Sequence, residues 1–302
     1  MREAISVFPS EQSKKLYVDA VEARFENELD LAVAKILRNR IPRIILLSGP
    51  TCSGKTTMAN KLVSELFERG EHTQVISIDD FFHSRTILAE LAREKGIDID
   101  FDSPSVIDHS ELARCVSEIL AGGTVTVPIF DFKKGCRTGT RTIDSDEHSV
   151  FLFEGIQAVY PEVTALFQGQ NFCRIFVSPE EELSLGKKVF SPDEIRFFRR
   201  IVRDHRFRGA TPEFTFFLWD SVRRNEVENI FPYASSCEVR LNTVIDYEIS
   251  MLRPHLIPLL SEIKKESAYY TAACNMLYSL ENIDNIDESY LPPHSMYHEF
   301  LG

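Results

Sequence analysis

Two rhythms of apolar residues alternate along the chain. Residues 43–48 (RIILLS), with four apolar residues in a row, read as a short buried strand. Residues 56–69 then put Met58, Ala59, Leu62, Val63, Leu66 and Phe67 at helical spacing, and Gly70 supplies a stop. Upstream, Val21, Phe25, Leu29, Ala32, Val33 and Ile36 recur at helical intervals among charges, which predicts a packing helix ended by Pro42. Downstream, 73–78 (TQVISI), 124–129 (TVTVPI), 149–153 (SVFLF) and 172–177 (FCRIFV) read as strands, with Pro128 marking an edge. Residues 110–121 read as a helix, from a serine cap and Glu111 to the Gly122-Gly123 stop. Strands separated by helical stretches predict an α/β fold with a central parallel sheet and helices on both faces, whose ligands bind at the carboxyl ends of the strands. Residues 246–302 read as two helices and a polar tail containing Pro292-Pro293. The expected organisation is an N-terminal helical segment (1–40), a core domain (41–245) and a C-terminal helical extension (246–302).

Between the strand at 43–48 and the helix at 56–69 lies Gly49-Pro50-Thr51-Cys52-Ser53-Gly54-Lys55-Thr56, a G-x-x-x-x-G-K-[ST] phosphate loop. Its context is the one the chemistry requires. Glycines let successive backbone N–H groups turn inward onto phosphate oxygens, and the helix N-terminus adds partial positive charge. Lys55 is expected to reach the β- and γ-phosphates and the Thr56 hydroxyl to bind Mg²⁺. Residues 49–56 with Thr57 form the expected nucleotide-binding set, and the fold expected is that of the P-loop NTPases.

Composition narrows the partners. The chain has 302 residues, 43% hydrophobic and 26% charged, and 46 acidic residues against 34 basic ones give a net charge of −12. That balance argues against nucleic acid and anionic membranes as partners. No apolar run approaches about 20 residues, and the N-terminus lacks an apolar signal core, so a cytoplasmic protein is expected. The six cysteines make no C-x-x-C pair and none lies at zinc spacing from a histidine, and the eight histidines are expected to be solvated or structural.

Acidic residues at strand ends point to the reaction. Asp79-Asp80 follow the strand at 73–78, and Glu154 follows the one at 149–153. Phosphoryl transfer needs a carboxylate beside the acceptor hydroxyl, and Mg²⁺ takes oxygen ligands. No Asn-Lys-x-Asp motif supports a GTPase, and no Leu-Ser-Gly-Gly-Gln segment supports a transporter ATPase. Residues 193–208 (DEIRFFRRIVRDHRFR) carry Arg196, Arg199, Arg200 and Arg203 on neighbouring turns. Such a segment is either a solvated face with pairs such as Arg200–Asp204 or a lid whose charge covers the γ-phosphate.

In order, the segments GPTCSGKT, SIDDFF, FDSPSVID, PIFDF, FEGI, RIFVSPEEE and RRIVRDHRFRG resemble the uridine kinase and phosphoribulokinase family of P-loop kinases over about 43–245. The C-terminal part resembles its bacterial-type nucleoside kinase branch. The resemblance implies ATP- and Mg²⁺-dependent phosphorylation of a nucleoside 5′-hydroxyl, uridine first. It implies Asp79 as the catalytic base and a metal neighbour, Asp102 on the ribose hydroxyls, and Phe130 and Phe132 lining the nucleoside pocket. It further implies Glu154 near metal and substrate, and Arg200, Arg203 and Arg208 as lid arginines that contact phosphates.

The chain departs from the family where Phe82 and Phe130 stand for tyrosines and Gly135 stands where a base-contacting histidine is expected. Lost polar contacts loosen base discrimination. The basic stretch Lys133-Lys134-Gly135-Cys136-Arg137, with Arg141, is either solvated or holds a phosphate already on the acceptor, with Arg137 the substrate contact. Two alternatives therefore stay open: a phosphoribulokinase-like sugar-phosphate kinase, and an ATP-binding regulator without turnover. A homo-oligomer is compatible with the family.

Overall fold

The continuous apolar runs become the inner strands of a five-stranded parallel sheet. A computed structural model describes residues 1–38, 41–95, 103–146 and 149–302. In chain order, β1 (Arg2–Ala4), α1 (Glu11–Ile36), β2 (Ile44–Ser48), α2 (Lys55–Glu68), β3 (His72–Ser77), α3 (Arg85–Lys95) and α4 (His109–Ala121) come first. Then follow β4 (Gly123–Asp131), β5 (Cys136–Ser145), β6 (Ser149–Glu154), α5 (Pro161–Thr164), β7 (Phe172–Ser178), β8 (Leu183–Leu185) and β9 (Lys188–Phe190). The chain closes with α6 (Pro192–Arg208), α7 (Pro212–Asn225), α8 (Phe231–Ala234), β10 (Val239–Asn242), α9 (Glu248–Ser261), α10 (Tyr270–Ser279) and α11 (His298–Leu301).

The sheet order is β10-β7-β2-β6-β3, with every pair parallel. All of β2 is buried, because it has a strand on each edge and helices over each face. Successive side chains point to opposite faces. Ile45 and Leu47 join the apolar cluster built by α1, α2, α6 and α9. Ile44 and Leu46 join Phe151, Phe153 and the buried face of α4 on the other side. The register brings the strand ends level, since Glu154 lies opposite both Leu47 and Ser77. The phosphate loop, the Asp79-Asp80 turn and Glu154 therefore leave the same edge of the sheet.

The sequence expectations hold unevenly. In α2, Met58, Ala59, Leu62 and Leu66 are buried, whereas Phe67 is 72% exposed. At about 100° per residue, Phe67 lies opposite Met58. Residues 124–129 do form a strand, but β4 pairs antiparallel with β5 in a separate two-stranded ribbon. Pro128 cannot donate to a ladder, which suits a ribbon with open edges. The basic stretch expected as a loop is a turn at 133–135 that runs into β5, so Arg137 and Arg141 are strand residues. The C-terminal segment is not a polar tail: Met296, Tyr297, Phe300 and Leu301 share one buried cluster with Val18, Val21, Phe25 and Leu29 of α1. No helix among the described residues is long and apolar enough to cross a membrane.

Candidate active site

The phosphate loop needs its glycines for two separate reasons. A Cβ at Gly49 would overlap the Val177 carbonyl, so the strand behind leaves no room for a side chain. Gly54 has φ +92°, a left-handed conformation that a side chain strains, and a Cβ there would also overlap the Met296 sulfur. Between them Cys52 takes φ +57°. The Lys55 ammonium donates to the carbonyls of Gly49 and Pro50, both at 2.9 Å. Burial lowers its pKa, opposed by the negative charges of Glu154, Glu299 and Asp79. The buried Ser53 hydroxyl finds no hydrogen-bond partner among the described residues. An orphaned hydroxyl and a lysine at the N-terminus of α2 fit an anionic phosphate chain.

Two arginines grip this loop from α6. Arg199 is fully buried and donates to the Cys52 carbonyl at 3.1 Å, to the Thr243 carbonyl at 2.6 Å and to Glu248 at 2.8 Å. Arg196 is equally buried, pairs with Glu226 and Asp193, and reaches the Thr51 carbonyl at 3.4 Å. These side chains are neither solvated nor a lid; their charge is matched by buried carboxylates and their donors satisfy loop carbonyls. Their charge pattern was legible in the sequence, but their attachment to the loop was not.

Beside the loop opens a cavity of about 470 Å³. Thr51 and Asp79 line one side, and Phe82, Phe130 and Phe132 form an aromatic wall. The ring pairs are edge-on, with centroids 5.9 Å apart for Phe82–Phe130 and 5.3 Å for Phe130–Phe132. Arg200 and Arg208 face it from α6. Asp204 holds three arginines of α6, contacting Arg200 at 3.2 Å, Arg203 at 2.8 Å and Arg208 at 3.5 Å. Burial, then the nearby Arg203, lowers the Arg208 pKa.

The two strand-end aspartates divide their work. Asp79 lines the cavity, whereas the Asp80 carboxylate accepts the Phe130 N–H at 3.0 Å and so pins the β-ribbon to the sheet; burial raises its pKa. Arg203 does not line the cavity and turns to Asp204. Arg137 also stays outside, donating to the Phe81 carbonyl at 2.9 Å and pairing with Asp108 at 3.2 Å. Arg141 is bound to the Val75 carbonyl at 2.7 Å. Glu154 ends β6 and contributes its field to Lys55, without forming part of the cavity wall. Asp102 lies outside the described residues. Among the cavity residues that escaped the sequence reading are His83, Arg85 and Gln157. Arg85 packs where a Cβ on Gly135 would be and donates to the Phe132 carbonyl at 2.7 Å.

A parallel sheet, a phosphate loop opening a helix and a carboxylate-bearing cavity at the strand ends define a P-loop kinase fold. The profile of the Phosphoribulokinase / Uridine kinase family matches residues 44–250, and the chain belongs to that family. It is 27% identical over 177 residues to a uridine kinase of Lactobacillus johnsonii, covering 59% of this chain and 74% of that protein. It is 28% identical over 180 residues to a uridine kinase of Ureaplasma urealyticum, covering 60% and 77%. Among solved structures, that of the YGR205w protein shares the fold, with a TM-score of 0.53 at 16% identity over 72% of this chain and 89% of that one.

Proposed function

We propose that the protein transfers the γ-phosphoryl group of ATP to the 5′-hydroxyl of a nucleoside, with uridine the first candidate. The observation that carries the reading is that Asp79 and Thr51 of the phosphate loop line one cavity with three phenylalanine rings. An aromatic wall suits a nucleobase, and the volume suits a small ligand. The uridine kinases at 27% and 28% identity support the same acceptor.

In this reading Asp79 orients the acceptor hydroxyl and takes its proton as the new O–P bond forms. The bond from the γ-phosphorus to the bridging oxygen breaks, and ADP leaves. Lys55, Arg200 and Arg208 neutralise charge that spreads over the transferring group. Thr56, Asp79 and Glu154 would supply oxygen donors for Mg²⁺, a cation that takes few protein ligands. When bound, Mg²⁺ neutralises the phosphate charge.

A second reading is a sugar-phosphate acceptor, favoured by His83 and Arg85 in the same cavity. An ADP-release assay with uridine, cytidine, inosine, guanosine, adenosine and ribulose 5-phosphate separates the two. Turnover on a nucleoside supports the first reading. Turnover on the sugar phosphate alone replaces it with the second. ATP binding without turnover on any acceptor makes the protein a nucleotide-binding regulator.

A further inference from the structure

A second cavity, of about 380 Å³, opens at the other end of the phosphate loop. Thr57 and Asn60 in the first turns of α2 line it, and so do His294, Met296, His298 and Glu299 of the C-terminal segment. This segment is held down as a strap. Ser295 donates to Glu22 at 2.6 Å, Tyr297 donates to Glu248, and Arg206 donates to the Leu301 carbonyl. The Arg199 guanidinium lies 5.7 Å from the Tyr297 ring and 5.3 Å from that of Phe300. Met296 reaches the loop itself, at Gly54.

We propose that this strap is part of the phosphate-donor site, forming the outer wall of the cavity that takes the nucleoside portion of ATP. The inference rests on the kinase reading above. Thr51 lies at the acceptor cavity, whereas Thr56 and Thr57 lie at the second one. A triphosphate with its terminal phosphate at the acceptor end therefore delivers its nucleoside to the strap. One Glu299 carboxylate oxygen is buried and has no hydrogen-bond partner among the described residues. Burial raises the Glu299 pKa, opposed by the charges of Lys55, Arg203 and Arg199. A buried carboxylate oxygen without a donor calls for a hydroxyl. The ribose of the donor or the water shell of its cation supplies one.

The test is calorimetric binding of ADP to the full chain and to Asn60→Trp, Glu299→Gln and Lys55→Ala variants, with uridine KM measured alongside. Asn60 is exposed, so the tryptophan fills the cavity without entering the core. Both Asn60→Trp and Glu299→Gln are expected to raise the ADP Kd about tenfold and leave the uridine KM unchanged. If Glu299 meets the ribose, 2′-deoxy-ADP loses affinity for the wild type but not for Glu299→Gln. If it meets the cation shell, the Glu299→Gln effect vanishes without Mg²⁺. Kd values within twofold of wild type in both variants overturn the inference. Tighter ADP binding would make the strap an occluding element and overturns it too. A wild type that binds ADP no better than Lys55→Ala removes the kinase reading itself, and the inference with it.

Discussion

Arg199 holds Cys52: the guanidinium Nη1 donates to the Cys52 carbonyl oxygen at 3.1 Å. Cys52 sits at φ +57°, a conformation that a residue with a side chain adopts only when its surroundings impose it. The buried arginine is one such constraint, and Glu248 neutralises it at 2.8 Å. The shape of the phosphate loop thus depends on a charge pair between α6 and α9.

Removing one partner of that pair leaves a buried charge uncompensated. Arg199→Met is expected to lower unfolding free energy by about 3–5 kcal/mol, and Arg199→Met with Glu248→Met to recover most of it. Urea unfolding of the wild type, both single variants and the double variant measures this. Equal losses that simply add would show that the two charges are not coupled.

Gly54→Ala combines a left-handed φ of +92° with a collision at Met296. The strain expected is about 1–3 kcal/mol, with ADP binding lost because the loop amides turn away. Thermal unfolding and calorimetry report the two effects separately. Unchanged ADP affinity in a folded variant would contradict the geometry.

Phe130 and Phe132 stand edge-on at 5.3 Å in the cavity beside the phosphate loop. A stacked base is worth about 1–3 kcal/mol, so Phe130→Ala should raise the nucleoside KM about 5- to 150-fold with the ATP KM unchanged. Steady-state kinetics with each substrate varied in turn would expose an effect confined to ATP.

Acid sensitivity should pass through Asp108. Burial pushes its carboxyl up, but bonds from Ser110 and the Glu111 N–H, with Arg137 beside it, outweigh burial and lower it from the ordinary value of 3.8. A depressed carboxyl stabilises the fold where it is ionised. Its contribution is present above that ordinary value and disappears as pH falls through the lower folded value. Asp108→Asn should flatten the pH dependence of stability below about pH 4, as followed by unfolding at a series of acidic pH values. A slope there as steep as that of the wild type would assign it to other carboxyls.

How legible the molecule was in its sequence varied with how much each element depends on distant ones. The run at 43–48 and the glycine loop carry their own signal, because a doubly buried strand is apolar throughout and the loop needs particular residues. β5 was missed because Thr138, Thr140 and Thr142 are exposed and the one well-buried apolar side chain is Ile143. Arg196 and Arg199 read as a charged face because only the folded chain brings Glu226 and Glu248 to them. Arg137 looked like a phosphate contact for the same reason, although Asp108 and the Phe81 carbonyl take its two terminal nitrogens. The aromatic cavity wall and Asp79 were legible from family resemblance. His83, Arg85 and Gln157 carry no local signal of their own and came from the cavity.

The most direct test of the account is product identification with ATP, Mg²⁺ and uridine, comparing the wild type with Asp79→Asn. Phosphorus NMR of the wild-type reaction should show uridine 5′-monophosphate and ADP in equal amounts. Asp79→Asn should lose about 10²- to 10⁴-fold in kcat while binding ADP as tightly. Full turnover by Asp79→Asn would contradict the assignment of the base, and ATP bound by the wild type with no phosphorylated nucleoside formed would contradict the acceptor.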